Sequence, residues 1–377
     1  MTHHSAVQTH IKSWCALTSL TLGLLLSASA EPATNAIQWG VNVHTSGSRD
    51  LADKLTQRNL KCVRMDLWGN DPLELARFRN AAEAYKAKNI KIEAILFTTF
   101  ARDQARQHDT NASLVEVEAT AYAQTKPQIE RTKDLVQDYE LQNEVSLYPN
   151  IKVEGSTGQA ASDYDVPVGR MQAAALRGIS RAIDEVRKTS HLPLRIILGT
   201  TDRSFGFLSF MQQQGVIFDV VGYHIYPWEK HTPLDQDSWY GPGGPLGQLA
   251  KFNKPIVINE FNSGEIYSGD AVHPGTNYEN RAEAPMTELG FRSLDKHLRG
   301  LVNQKVAKVE AVIFYELCDE PKKEIPENRF GLFYDTALQK PKISLLIATS
   351  FAGGTLSPAE QNELTKRGLG LTNAPKR

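Results

Sequence analysis

The chain has 377 residues, 41% hydrophobic and 23% charged, the balance of a protein able to bury a large core. Its 42 basic and 43 acidic side chains leave a formal charge of −1. Neither nucleic acid nor an anionic membrane, which attract strongly basic surfaces, is therefore the expected main partner.

The first thirty residues read as a secretory signal. Lys12 precedes the largely apolar run Cys15–Leu26, and Ala28-Ser29-Ala30 offers small residues at the −3 and −1 positions of a cleavage site, with Glu31 as the mature start. An apolar run of about twelve residues falls short of the roughly 20 that cross a bilayer. A secreted or periplasmic protein, with no stable membrane insertion after cleavage, is expected. Cleavage would remove Lys12 and no acid, leaving 41 basic against 43 acidic side chains. Cys62 and Cys318 would remain, too few for a disulfide framework and suited to packing as small buried hydrophobes, though a pairing between them stays open.

Eight short runs rich in β-branched and apolar residues follow, at 37–43, 61–67, 90–97, 138–144, 194–199, 218–224, 255–261 and 309–316. Helical patterns lie between most of them. One opens with Asp71 as a cap and Pro72 in the first turn, and others at 169–188 and 287–305 carry apolar residues at three and four spacing. Eight alternations of strand and helix in about 320 residues predict a single (β/α)8 TIM barrel, residues 31–356, rather than an open sheet. No GxGxxG follows any strand, which speaks against a dinucleotide fold. The polar segment 357–377 reads as a loosely held tail. A monomer without cofactor is expected. The longest irregular segments, 99–116, 149–168, 229–247 and 262–282, all follow strands and would build one rim, where barrel active sites sit.

Two strands end in a carboxylate. In "YELQNEVSLYP", alternation puts Glu140, Gln142 and Glu144 on one face, directed inward, with Glu144 uppermost at the mouth. In "IVINEFN", Ile256 and Ile258 run beside Glu260, where the strand opens into Asn262-Ser263-Gly264. Two carboxyl groups flanking a scissile bond are the minimum machinery of glycoside hydrolysis, one attacking the anomeric carbon and one protonating the leaving oxygen. A single glutamate at such a place could equally be a member of an ion pair inside the barrel. Two at matching strand ends point to chemistry, since catalytic groups gather at that rim. Supporting groups stand nearby. Arg64 shares a face with Asp66 and Trp68, and can hydrogen-bond a carboxylate and keep it ionised. His224 and Tyr226 share a face on the sixth strand, where the Tyr hydroxyl could orient Glu260. Asn42 and His44 follow the first strand, and Tyr315 with Glu316 ends the eighth. Trp39, Trp68, Trp228 and Trp239 lie in or just after strands, where a ring could stack on a sugar or simply pack in the core.

These residues resemble those of the clan A retaining glycoside hydrolases, which carry Asn-Glu at the end of barrel strand four and Glu at the end of strand seven. Asn143-Glu144 and Glu260 stand there in this chain. "YELQNE" is similar to the family 39 "E-V-W-N-E" type of stretch. "FYELCDEP" with "RFGLFYDTALQKPK" resembles the ending of family 39-like exopolysaccharide glycosidases. The resemblance implies Glu144 as acid/base, Glu260 as nucleophile and Asn143 as donor to the sugar 2-hydroxyl. It also implies Arg64 and Tyr226 as supports of the nucleophile and His224 as a lining residue. The chain departs from the pattern at Val145, where proline is frequent, and at Tyr315-Glu316, where many relatives have tryptophan. The function expected is retaining hydrolysis of a β-linked polysaccharide or oligosaccharide, including endo-action on an exopolysaccharide. The alternative is a non-catalytic polysaccharide-binding protein on the same scaffold. A metal-dependent hydrolase would need clustered histidines, and no H-x-H or H-E-x-x-H occurs, so no metal is expected.

Overall fold

A computed structural model of the chain describes residues 37–68, 71–101, 112–267, 288–323 and 327–371. The expected signal segment lies outside these residues, as do 102–111 and 268–282 of two of the four rim segments and 372–377 of the expected tail.

Eight strands, β1 (Gln38–Asn42), β2 (Cys62–Leu67), β3 (Lys91–Leu96), β4 (Asp138–Leu141), β5 (Arg195–Thr201), β6 (Val220–Ile225), β7 (Ile256–Phe261) and β8 (Val309–Phe314), pair in sequence order. All pairings are parallel, and β1 closes on β8 with Trp39 opposite Val312. The expected TIM barrel is what forms. Helices α1 (Arg49–Gln57), α2 (Pro72–Lys86), α3 (Leu114–Thr132), α4 (Pro167–Ser190), α5 (Phe205–Gln213), α6 (Gly244–Ala250), α7 (Glu288–Asn303) and α8 (Ile343–Ala352) alternate with or follow the strands. Asp71 caps α2 by accepting from the Leu73 N–H, with Pro72 in the first turn, so the polar-then-proline start does what its chemistry allows.

The strands separate two apolar regions. Outward side chains such as Val63, Met65, Ile92, Leu198 and Ile258 join the large core beneath the helices. Cys62, Ile197, Val220, Val257, Ala311 and Ile313 form a second, smaller cluster, the plug of the barrel interior. Above the plug the interior turns polar, with Arg64, Glu93, Glu140 and Asn259 all buried. Glycines make room for this layer. A Cβ on Gly222 would come within 2.9 Å of both Asn259 Nδ2 and Ile197 Cγ2.

Strict alternation fails at two places that matter. On β7, Val257 pairs with Gly222 and Glu260 with His224, while on the other side Ile258 pairs with Val312 and Phe261 with Phe314. Two steps on each neighbour span three on β7, which is a bulge. Alternation would place Glu260 with Ile256 and Ile258, on the helix side. The extra residue turns Asn259 and Glu260 inward together. On the fourth strand, pairing stops at Leu141, and Gln142 (φ 59°) and Glu144 (φ 48°) are both left-handed. Gln142, expected to point inward with Glu140 and Glu144, turns outward. Its Oε1 accepts from Thr98 Oγ1 at 2.7 Å and its amide nitrogen donates to Gln172 of α4 at 3.3 Å.

The C-terminal segment also corrects an expectation. Residues Pro358–Arg367 form a helix, α9, begun by a capping box of Ser357 and Glu360. Its Leu364 is buried, and the Arg58 guanidinium from the end of α1 grips Glu360 at 2.6 and 3.1 Å. Polar composition suggested a loose tail, but one buried leucine, a cap and a bidentate ion pair fasten it.

Candidate active site

Arg64, on β2, is the hub. Its Nε and Nη2 donate to the two oxygens of Glu140 at 2.6 and 3.0 Å. Nη1 donates to Glu260 Oε1 at 2.7 Å, and Nη2 also donates to Asn143 Oδ1 at 2.7 Å. Glu93 lies 3.7 Å from Nε. A guanidinium is the one side chain whose fixed fork serves several acceptors at once while remaining charged under burial. With its oxygen held by Arg64, the Asn143 carboxamide keeps its NH2 as the group to offer a ligand.

Glu260 receives two further contacts. The Tyr226 hydroxyl donates to its Oε2 at 2.7 Å, and His224 Nδ1 lies 3.2 Å from the same oxygen. Burial opposes ionisation of Glu260, but the His224 and Arg64 charges and the bonds from His224 and Tyr226 outweigh it, holding the carboxyl at about 2. Glu260 is thus a carboxylate across the working range.

His224 stands between the two strand-end carboxylates. Its Nδ1 lies 3.1 Å from Glu144 Oε1 as well as 3.2 Å from Glu260 Oε2, which calls for a proton on Nδ1. Burial disfavours the imidazolium, yet Glu260, Glu140 and Glu144 together raise the His224 pKa well above the ordinary value. One oxygen of Glu144, one of Glu260 and a nitrogen of His224 lie within 4.8 Å of one another. Glu144 is the more open of the pair, with about a quarter of its side chain exposed (28%, against 6% for Glu260).

A cleft of about 250 Å³ opens above these groups, lined among others by Asn42, His44, Arg64, Asn143, Glu144, Glu260 and Tyr315. One wall is aromatic. Trp68 stacks on Phe97 with ring centroids 4.0 Å apart and planes 2° from parallel, and Trp68 stays 38% exposed. Another part of the lining is charged. His44 is clamped between Asp66 Oδ2 at 2.9 Å and Glu316 Oε2 at 2.8 Å. Burial works against its charge, but the hydrogen bonds it donates to Asp66 and Glu316 raise it to about 10. Burial pushes Glu316 up to about 7, against the pull of His44 and Lys323.

Arg64, Asn143, Glu144, His224, Tyr226 and Glu260, separate in the sequence, are therefore joined in one hydrogen-bonded network. Asn42, His44, Trp68 and Tyr315 line the same cleft. Trp228 is not among the residues lining that cleft. It packs beside Gly264, whose Cβ position falls 2.6 Å from the Trp228 ring, and carries Lys230 over its face. Trp39 is core, stacked on Phe314. Sequence reasoning missed Glu93 and Asn259, which bond each other at 3.1 Å beneath the site. It named Asp66 only as a neighbour of Arg64. Glu93 carried a signal, an acid alone on an otherwise apolar strand; Asn259 carried none, because the bulge that turns it inward is invisible to alternation. His44 with Glu316 and Glu320, and Glu144 with His224 and Glu260, are the groupings among the described residues whose spacing could hold a metal ion. In both, the imidazole is engaged by carboxylates that favour its protonated, non-ligating form.

No protein-family model and no curated protein sequence matches the chain. Solved structures do match. The GH53 catalytic domain from Ignisphaera aggregans superposes with a TM-score of 0.56 at 16% identity, covering 84% of this chain and 96% of that one. A family 1 β-glucosidase from Thermotoga maritima gives 0.55 at 14% identity, with 85% and 98% covered. A β-glucosidase from Exiguobacterium marinum gives 0.53 at 12% identity, with 85% and 98% covered. At such identities the likeness is one of fold, and what it establishes is the barrel.

Proposed function

We propose that the chain is a retaining β-glycoside hydrolase that cleaves a polysaccharide or oligosaccharide by double displacement. The observation that carries this reading is the pair Glu144 and Glu260 at the ends of β4 and β7, with carboxylate oxygens within 4.8 Å. Retaining glycosidases place their two carboxyl groups about 5–5.5 Å apart, whereas inverting ones leave room for a water. Glu260, held ionised and oriented by Arg64 and Tyr226, is the nucleophile that attacks the anomeric carbon. Glu144 gives a proton to the departing oxygen. After the leaving group departs, Glu144 takes a proton from water as that water opens the glycosyl ester on Glu260. Asn143, fixed through its oxygen, donates to the 2-hydroxyl of the sugar, while Asn42, His44, Trp68 and Tyr315 line the sugar's side of the cleft. The similar structures titled as β-glucosidases lend support at the level of scaffold.

The test is kinetic. Glu260→Ala and Glu144→Gln are each expected to lower kcat on an aryl β-glycoside or a cleaved polysaccharide by about 10³-fold or more. Azide should restore turnover in Glu260→Ala on an activated substrate, yielding a glycosyl azide of opposite anomeric configuration. Undiminished activity in either variant would sink the assignment. Glycan binding without turnover across a broad panel would favour a non-catalytic binding protein.

A further inference from the structure

Beyond the cleft, the rim carries a second aromatic feature. Trp239 is 55% exposed at the tip of a tight turn in which the Gly241 N–H donates to the Ser238 carbonyl at 2.9 Å. A large apolar ring in water is costly unless something covers it. This one is also held still. The Arg203 guanidinium lies 4.8 Å from its centroid, and the Tyr240 ring packs at 4.8 Å with a 50° tilt. Arg203 is fixed in turn by the Gln159 carboxamide, whose oxygen, turned toward it, accepts from Nη2 at 3.0 Å and Nε at 3.1 Å. Tyr240 is buried and bonds Asp202 through its hydroxyl. The segments after β4, β5 and β6 thus join to present one tryptophan. They are tied to the catalytic rim as well, because Ser146, two residues past Glu144, bonds Thr201 at the end of β5 at 3.2 Å.

The ring order of the barrel places this feature. In a closed β1-to-β8 ring, β2 and β6 are four strands apart and lie across the mouth from each other. Trp68 follows β2 and Trp239 follows β6, so the Trp68–Phe97 stack and Trp239 stand on opposite sides of the mouth, with the strand-end pair at β4 and β7 between them. We propose that Trp239, pinned by Arg203, is a remote sugar-binding platform, and that a glycan chain crosses the mouth from the Trp68 side to the Trp239 side. The proposal rests on the glycosidase reading for its substrate class and adds to it that sugars are gripped on both sides of the scissile bond. A chain gripped on both sides can be cut internally. Sugar C–H faces are the ligand that suits a rigid exposed indole with polar groups (Arg203, Asp202, Ser238) beside it.

The experiment separates the platform from the chemistry. Glu260→Ala protein, with and without Trp239→Ala, is run by affinity electrophoresis through gels containing soluble β-glucan, galactan, mannan, xylan or bacterial exopolysaccharide. The Trp239→Ala change should weaken retardation on the polymer that binds by about five- to tenfold, and Trp239→Phe should recover most of it. In otherwise native protein, Trp239→Ala should cost about five- to tenfold more in kcat/KM on that polymer than on an aryl β-glycoside. Equal retardation with and without the indole overturns the platform, and so does the absence of retardation by every polymer. Aryl-glycoside turnover with no effect of Trp239 on polymers would leave the glycosidase reading standing and remove the platform. Polymer binding that depends on Trp239 in a protein with no turnover would do the reverse.

Discussion

Tyr226 spends its hydroxyl on one oxygen of Glu260 while Arg64 holds the other, at 2.7 Å each. The two donors define the plane of the carboxylate, and a nucleophile must present a lone pair in a fixed direction to react. Burial and the neighbouring carboxylates keep the phenol well above its usual pKa, so it remains a donor across the working range. Tyr226→Phe removes one hydrogen bond and no bulk. On the proposed mechanism it is expected to lower kcat by about ten- to a hundredfold while changing KM little, because the contact would then serve the attacking group rather than the resting sugar. Steady-state kinetics on an aryl glycoside would check this, and a rise in KM at constant kcat would reassign Tyr226 to substrate binding. Arg64 cannot be probed so cleanly. Its loss would strip Glu140 of its two guanidinium bonds and leave only His224 Nε2, 3.8 Å away, to face the buried carboxylate, and breaking such a buried pair costs about 3–5 kcal/mol of stability before any chemistry is measured.

At the scale of elements, much of the molecule was legible and the failures have physical causes. All eight strands could be placed because parallel strands covered on both faces read as apolar runs. Glu260 stood out because it ended such a run, and Glu144 because it ended a stretch in which apolar and polar residues alternate. Alternation, however, assumes a continuous ladder, and the ladder breaks where the site is built. The left-handed backbone at Gln142 sends that side chain to α4, and the β7 bulge turns Asn259 and Glu260 inward together. Local distortion of this kind arises from packing around a whole barrel, so a window of seven residues cannot contain it. Helix α9 was hidden for another reason: its hold on the protein lies in Leu364 and in the Arg58–Glu360 pair, contacts distant in sequence. Ser357→Ala removes its cap and should lower stability by about 1 kcal/mol. Leu364→Ala should cost about 2–5 kcal/mol. Denaturant unfolding would measure both. A shift in neither would mean that the helix is not docked in solution.

The whole molecule carries an unusual set of protons. Burial, with Glu140 and Asp138 nearby, raises Glu93 from 4.5 to about 8 despite Arg64 and Asn259. Glu316 rises from 4.5 to about 7 and His44 from 6.5 to about 10. Each of these groups binds its proton more tightly folded than unfolded. The stability they confer is therefore complete at low pH and is lost as pH climbs, across 4.5 to 8 for Glu93, 4.5 to 7 for Glu316 and 6.5 to 10 for His44. Glu260 acts in the other direction, its contribution present above 4.5 and lost as pH falls toward about 2. The melting temperature should therefore be highest on the mildly acidic side and decline toward pH 8. Glu93→Gln, which keeps the shape and cannot ionise, should flatten that decline between about pH 5 and 8. An identical slope in the variant would show that Glu93 does not titrate there.

The two cysteines of the described residues bear on how this protein can be made. Cys62 is sealed in the barrel plug and Cys318 sits half-buried in the segment after β8, both as free thiols. No covalent cross-link among the described residues has to form for the barrel to close. Folding should then be indifferent to the redox state of its surroundings. A version lacking the first thirty residues should mature in a reducing cytosol. Its yield and melting temperature should be the same with or without a reductant in the buffer.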